Sequence, residues 1–97
     1  MKILPVSDVD LYYALEVKQA LCSEGFRVDV DARYEKLGYK IREAQLSKVP
    51  YMVVLGESER TNGTISVRKR GEGDVGSKQL QSFIDQIRIE IELKSAH

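Results

Sequence analysis

Five consecutive apolar residues, Tyr51-Met52-Val53-Val54-Leu55, stand between Pro50 and Gly56. A strand that is wet on one face alternates apolar and polar side chains. An unbroken run of this length therefore reads as a strand covered on both faces, bounded by its own punctuation. With 97 residues the chain can build one core and one domain, spanning 1–97, but no large buried active site. The strand Tyr51–Leu55 is expected in the middle of that domain's sheet.

The flanking segments supply the other layers. Ile3-Leu4-Pro5-Val6 suits a strand ending at a proline. Ser7 or Asp8 offers a helix cap, and Asp10 puts negative charge into the first turn. Leu11, Ala14, Leu15 and Leu21 follow at helical spacing, with Gly25 as the stop. Phe26–Val30 alternates like a strand with one wet face. From about Tyr34 to Lys48 the pattern predicts a second helix, with Leu37, Ile41 and Ala44 on one stripe and Leu46 beside it. Gly38 in its interior costs about 1 kcal/mol against Ala. Asn62-Gly63 is a turn signal, and Thr64–Arg70 alternates with Ile65 and Val67 facing one way, Ser66 and Arg68 the other. After the turn Arg70–Gly73, Asp74–Lys78 reads as a short returning edge strand. Leu80, Phe83, Ile84, Ile87 and Ile91 form the stripe of a last helix, while Ile89 and Leu93 lie off it. The order β-α-β-α-β-β-β-α makes this an α/β fold, a five-stranded mixed sheet flanked by three helices.

Several function classes fall away. No apolar run approaches the ~20 residues that span a bilayer, and the first residues carry no secretory pattern, so the expectation is a cytoplasmic protein without a membrane partner. The single Cys22, read as a partly buried helix residue, excludes an internal disulfide. With the one His97 at the end of the chain it cannot complete a structural zinc site. Gly71-Glu72-Gly73-Asp74-Val75-Gly76 matches a dinucleotide fingerprint by letter, but it follows a hairpin strand and opens no βαβ unit, so turn glycines explain it better. Asp29 and Asp31 are spaced to point the same way on one strand. They are read as a solvated edge in preference to a metal or acid–base pair.

Charge is balanced overall, with 15 basic and 15 acidic residues, but unevenly spread. Met1–Asp31 holds three basic and six acidic residues; Ala32–Lys48 holds five basic and two acidic. Arg60–Arg70 holds Arg60, Arg68, Lys69 and Arg70 and no acid. A neutral protein can still present one basic face. Arg33 and Arg42 lie close in sequence to Tyr34 and Tyr39, and interleaved guanidinium and ring groups suit unpaired RNA, where cations meet phosphates and rings stack on bases. Glu59 adds an acceptor for a base's amino or imino hydrogen.

The run Val28-Asp29-Val30-Asp31-Ala32-Arg33-Tyr34-Glu35-Lys36-Leu37-Gly38-Tyr39-Lys40-Ile41-Arg42 strongly resembles the anticodon-binding domain of class II aminoacyl-tRNA synthetases. The continuation Glu43–Gly56, the segment Asn62–Arg70 and Asp74-Val75-Gly76 are similar to the threonyl enzymes in particular, and Ile3–Ser7 looks like that domain's first strand. The resemblance covers essentially the whole chain. It implies the five-stranded mixed sheet with three main helices, and a place at the C-terminus of a synthetase that reads the anticodon loop of threonine tRNA. It further implies that Arg42, Glu59 and Arg68 meet anticodon bases or the adjacent backbone. Arg33, Lys40 and Arg70, in the two basic stretches, complete the candidate RNA-binding set together with Tyr34. The threonyl enzymes usually carry Asn where this chain has Tyr34. A tyrosine stacks and donates one hydroxyl bond, but cannot offer an amide's paired donor and acceptor.

On this reading the chain itself has no catalytic residue, metal or cofactor. ATP and zinc belong to the catalytic domain of the parent enzyme, the other partner is the rest of that synthetase, and the isolated domain is monomeric. Two alternatives use the same sheet differently. A free-standing paralogue would act as an RNA-binding accessory or as a protein-interaction module docking through Ile89, Leu93 and the last helix. A small-molecule domain would need a pocket near Ser7 and Asp31, at the ends of the parallel strands.

Overall fold

A computed structural model of the chain describes residues 1–33 and 35–95, with side chains as far as Glu92. Its elements are β1 (Lys2–Pro5), α1 (Leu11–Ser23), β2 (Asp29–Val30), α2 (Leu37–Leu46), β3 (Tyr51–Leu55), α3 (Glu57–Asn62), β4 (Thr64–Lys69), β5 (Gly73–Gln79) and α4 (Leu80–Ser95), with a 3-10 turn at Asp8–Asp10 before α1. The sheet order is β2-β1-β3-β4-β5. β1 runs parallel to both β2 and β3, and β3-β4-β5 continue antiparallel. The mixed sheet and the central place of β3 are as the apolar run predicts.

Alternation along β3 sends its residues to two separate cores. Tyr51, Val53 and Leu55 join Ile3, Ile65 and Val67 under α1 and α4, packed by Ala14, Val17, Leu21, Phe83, Ile84 and Ile87. Met52 and Val54 turn the other way, with Leu4, to meet Ala44, Leu37 and Ile41 of α2. The two crossover helices thus lie on opposite faces. The carboxyl end of β1 is therefore the point where the chain switches sides, and the crevice there is where open α/β sheets place ligands.

Several expectations shift. α1 buries Ala14, Val17 and Leu21, leaving Leu15 exposed; Cys22, one position past Leu21 and so about 100° round the helix, is exposed and not partly buried. β2 is two residues long, because the register Lys2↔Asp29 leaves Phe26–Val28 beyond the start of β1. α2 begins at Leu37, after Lys36 in extended conformation. Ile91 is exposed along with Ile89. Leu93, Tyr34 and His97 lie outside the residues whose side chains are described. The sheet is flanked by four helices rather than three, and the extra one is the six-residue α3. Gly63 (φ 68°) caps α3 and turns the chain into β4.

α1 and α2 end in the same way but on different residues. After α1, Phe26 N–H donates to Leu21 O and Gly25 N–H to Cys22 O, with Gly25 at φ 92°. After α2, Val49 N–H donates to Ala44 O and Lys48 N–H to Gln45 O, with Lys48 at φ 59°. A left-handed cap is natural for glycine and costs about 1 kcal/mol or more for a residue with a Cβ. Part of the gain from a glycine is returned as unfolded-state entropy. Lys48→Gly is therefore expected to stabilise the domain by about 0.5–1 kcal/mol and raise Tm by roughly 2–8 °C in a thermal melt, while Lys48→Ala gives no gain.

Candidate nucleic-acid interface

α2 packs over β1 and over Met52 and Val54 of β3, so among the described residues the second face of β4 and β5 carries no helix. Register places Ser66 and Arg68 on that open half-face, opposite Val54 and Met52 of β3, with Ser77 and Asp74 of β5 beside them. It is polar, bordered by α2 on one side, and β4 presents its arginine near the middle. A bulge between Val67 and Arg68 shifts the β4–β5 register there. The glycines of the Gly71–Gly76 stretch serve this hairpin: Gly71, Gly73 and Gly76 all have positive φ, and Gly76 N–H donates to Asp74 Oδ1 at 2.8 Å.

Arg68 is half-buried in this surface, and its Nε is buried without a hydrogen-bond partner. An unpaired buried donor costs about 1–3 kcal/mol, which an acceptor reached by a small rotation of the side chain would recover. Arg42 projects from the exposed side of α2. Its neighbour Glu43 turns to Arg33, and Arg42, two positions before the buried Ala44, points outward from the sheet. Arg70, just past β4, is exposed, and its Nη1 donates to Lys48 O at 3.1 Å. Glu59 lies in the first turn of α3, at the carboxyl end of β3, where Oε1 accepts the Gly56 N–H at 2.8 Å and caps the helix. A carboxylate has acceptor sites to spare, so this bond leaves Glu59 able to receive another donor. Tyr34, the remaining candidate, lies outside the described residues.

Two of the sequence-derived candidates are committed elsewhere. Lys40 is only 4% exposed. Its Nζ donates to Asp31 O at 3.0 Å and Pro5 O at 3.3 Å, tying together the carboxyl ends of β2 and β1. It is a structural cross-brace rather than part of the presented surface, because helical spacing puts it beside Leu37, Ile41 and Ala44 on the inward side of α2. Arg33 is exposed but engaged: Nε and Nη2 donate to the two oxygens of Asp31 at 2.9 and 2.8 Å, Nη2 also reaches Glu43 at 2.9 Å, and the guanidinium sits 5.8 Å from the centre of the Tyr39 ring. The basic stretch seen in sequence is thus partly self-neutralised.

The same contacts settle Asp29 and Asp31. Asp29 is exposed, whereas Asp31 is buried and held by Arg33, whose hydrogen bonds outweigh desolvation and lower its pKa from 3.8 to about 2. A depressed carboxyl pKa means stability that is present above the unfolded value and lost as pH falls from about 4 towards 2. The Asp31 carboxyl carbon is accordingly expected to titrate near 2 by NMR, and Arg33→Gln to move that midpoint back towards 3.8. No group of three or more His, Cys, Asp or Glu side chains among the described residues is placed to hold a metal ion.

A cavity of about 750 Å³ opens at the carboxyl end of β1, lined by Pro5, Val6, Ser7, Ala32 and Lys36 among others. This is the crevice expected near Ser7 and Asp31. Ser7 is already spent inside it: its N–H and Oγ both donate to Asp10 Oδ2, at 3.2 and 2.9 Å. Asp10 in turn receives Arg60 Nε at 3.0 Å on its other oxygen. That link, across 50 residues, joins the turn after β1 to α3, and sequence reasoning did not connect the two. The available signal was local: Ser7 and Asp10 stand three apart, as in a capping box, and so do Gly56 and Glu59.

Comparison with known proteins agrees with this fold. A family model described as an anticodon binding domain matches residues 1–90. Threonine–tRNA ligase of Clostridioides difficile is 51% identical over 96 residues, covering 99% of this chain and 15% of the ligase. That of Natranaerobius thermophilus is 49% identical over 90 residues, covering 93% of the chain and 14% of the ligase. The crystal structure of the RNA binding domain of threonyl-tRNA synthetase from Cryptosporidium parvum superposes with a TM-score of 0.81 at 31% identity, covering 88% of this chain and 22% of that one. The chain thus spans about a seventh of the length of these curated relatives. A family match over nearly its whole length, joined to the same fold and half-identical threonyl relatives, makes the chain a member of the anticodon-binding domain family, of the threonine–tRNA ligase type.

Proposed function

We propose that the open half-face of the sheet between α2 and β5 receives the anticodon loop of threonine tRNA. The observation that carries this is Arg68, a half-buried arginine whose Nε lacks a partner, standing on the part of this sheet face that α2 leaves uncovered among the described residues. In this reading Arg68 and Arg42 bind base edges or the neighbouring phosphates, and either can fork onto O6 and N7 of a guanine. Glu59 accepts from N1 and N2 of such a base through its free acceptor sites, and Arg70 adds backbone charge. Tyr34 stacks on an unpaired base. The domain does no chemistry of its own: it orients the tRNA for the remainder of a threonine–tRNA ligase, where threonine, ATP and zinc bind. Its setting is the cytoplasm, and on its own the domain is a monomer.

An NMR titration of the chain with a threonine-tRNA anticodon stem-loop, at low salt because the contacts are largely ionic, tests the proposal. The control loop carries an altered second anticodon letter. Shifts at Arg42, Glu59 and Arg68 that weaken with the altered loop are expected. Equal shifts with both loops would reduce the surface to a sequence-independent RNA binder. Silence at millimolar loop, with a protein ligand found instead on α4, would favour the interaction-module reading.

A further inference from the structure

We propose that Arg60, anchored on Asp10, is a positioning residue that holds α3 in place while Glu59 engages a base. The inference rests on the assignment of Glu59 as a reader of the anticodon. α3 has the sequence Glu-Ser-Glu-Arg-Thr-Asn and buries none of its side chains. A six-residue helix without an apolar face has no stability of its own. Its pose comes instead from polar ties at its ends. At the start, Glu59 Oε1 accepts the Gly56 N–H; at the end, the Gly63 N–H donates to Glu59 O. The third tie is the one that reaches outside the helix: Arg60 Nε donates to Asp10 Oδ1 at 3.0 Å.

Asp10 is a firm anchor. Its side chain is 2% exposed, and its second oxygen is fixed by two donors from Ser7, so the carboxylate has one orientation. Arg60 is therefore bolted to the turn after β1, close to where Gly56 approaches Val6; a Cβ on Gly56 would stand 3.1 Å from Val6 Cγ2. Glu59 meanwhile holds two posts. The carboxylate that reads RNA is the carboxylate that caps the helix carrying it. When a base shares the Glu59 carboxylate with Gly56, the capping bond weakens, and the Asp10–Arg60 pair is the side-chain tie, among the described residues, that holds α3 from outside at the carboxyl end of β3. Without it, engagement of Glu59 would loosen the helix and blur the contact.

The test compares wild type, Arg60→Gln, Arg60→Lys, Glu59→Gln and the double variant Glu59→Gln/Arg60→Gln, each titrated with the stem-loop and with the loop altered at its second letter. Wild type is expected to prefer the native loop. Arg60→Gln should lose roughly tenfold of that preference, with affinity for the altered loop changed less than about threefold. Arg60→Lys keeps a cation beside Asp10 and should restore most of the preference. On the Glu59→Gln background, Arg60→Gln should add nothing, because a residue acting through Glu59 has no effect once Glu59 cannot read. Amide exchange supplies a second readout: residues 57–62 should exchange faster in loop-bound Arg60→Gln than in loop-bound wild type. An Arg60→Gln variant that weakens both loops equally would make Arg60 a phosphate contact and overturn the proposal, as would a full additive loss in the double variant. Wild type showing no preference between the loops would remove the anticodon reading itself, and the role of Arg60 with it.

Discussion

Phe83→Ala is expected to destabilise the domain by about 3–5 kcal/mol. Phe83 is fully buried, on the inward stripe of α4 between Leu80 and Ile87. Its ring meets Tyr51 edge to face, with centroids 5.6 Å apart and planes at 78°, a geometry worth about 0.5–1.5 kcal/mol beyond the area buried. Truncation removes that contact and opens a cavity in the larger of the two cores, at the start of the central strand. The loss is serious because a domain of this size has only about 5–15 kcal/mol in total. In a urea titration the midpoint should fall by roughly 2 M at a slope of about 2 kcal/mol per molar. Ile91→Ala on the same helix, at a site 48% exposed, should move it by no more than about 0.5 kcal/mol. A Phe83→Ala midpoint within that smaller margin would mean that α4 does not hold the sheet.

The core was legible in sequence wherever burial leaves a period. β3 shows itself as an unbroken run because both of its faces are covered, and Ile65 and Val67 against Ser66 and Arg68 gave the faces of β4 correctly. The inward stripe of α4 was legible as far as Ile87. α3 had no such signal. Glu57–Asn62 contains no apolar residue, so hydrophobic spacing could not report a helix that is held by polar bonds. The early start given to α2 has the opposite cause: charged residues before Leu37 continue a pattern that the extended Lys36 interrupts. Leu15 was read onto the inward stripe of α1, where Val17 is buried instead, because both fit a helical stripe and only the docking angle of α1 chooses between them.

The site was legible as residue types but not as partnerships. Six basic or acidic side chains in the candidate set look alike in sequence, and long-range contacts sort them. Lys40 is taken up by two carbonyl groups, Arg33 by Asp31 and Glu43, and, outside that set, Arg60 by Asp10, while Arg42 and Arg68 have no carboxylate partner among the described residues. Charge counting over a stretch of chain cannot see this, since the neutralising groups lie up to 50 residues away. The basic character of Ala32–Lys48 therefore overstates what α2 presents to an RNA, and the one arginine of β4 understates it.

That sorting makes Arg68 and Lys40 give opposite results under the same measurement. Arg68→Gln is expected to weaken binding of the threonine-tRNA stem-loop by about 1–3 kcal/mol, roughly 5- to 150-fold, the range for a bidentate base contact. Its effect should shrink towards that of one lost phosphate contact with the loop altered at its second letter, and the salt dependence of native-loop binding should stay close to wild type. Stability should hold or improve, because the substitution removes a buried Nε that has no partner. Lys40→Met keeps the length of the side chain but strips Pro5 O and Asp31 O of their shared donor, at an expected cost of about 1–3 kcal/mol in urea unfolding. Binding by the fraction that remains folded should be unchanged. If instead Lys40→Met weakens RNA binding at constant stability, Lys40 belongs to the interface after all. If Arg68→Gln lowers affinity for both loops alike and flattens the salt dependence by about one ion, Arg68 holds a phosphate, and the letter must be read by Arg42 and Glu59.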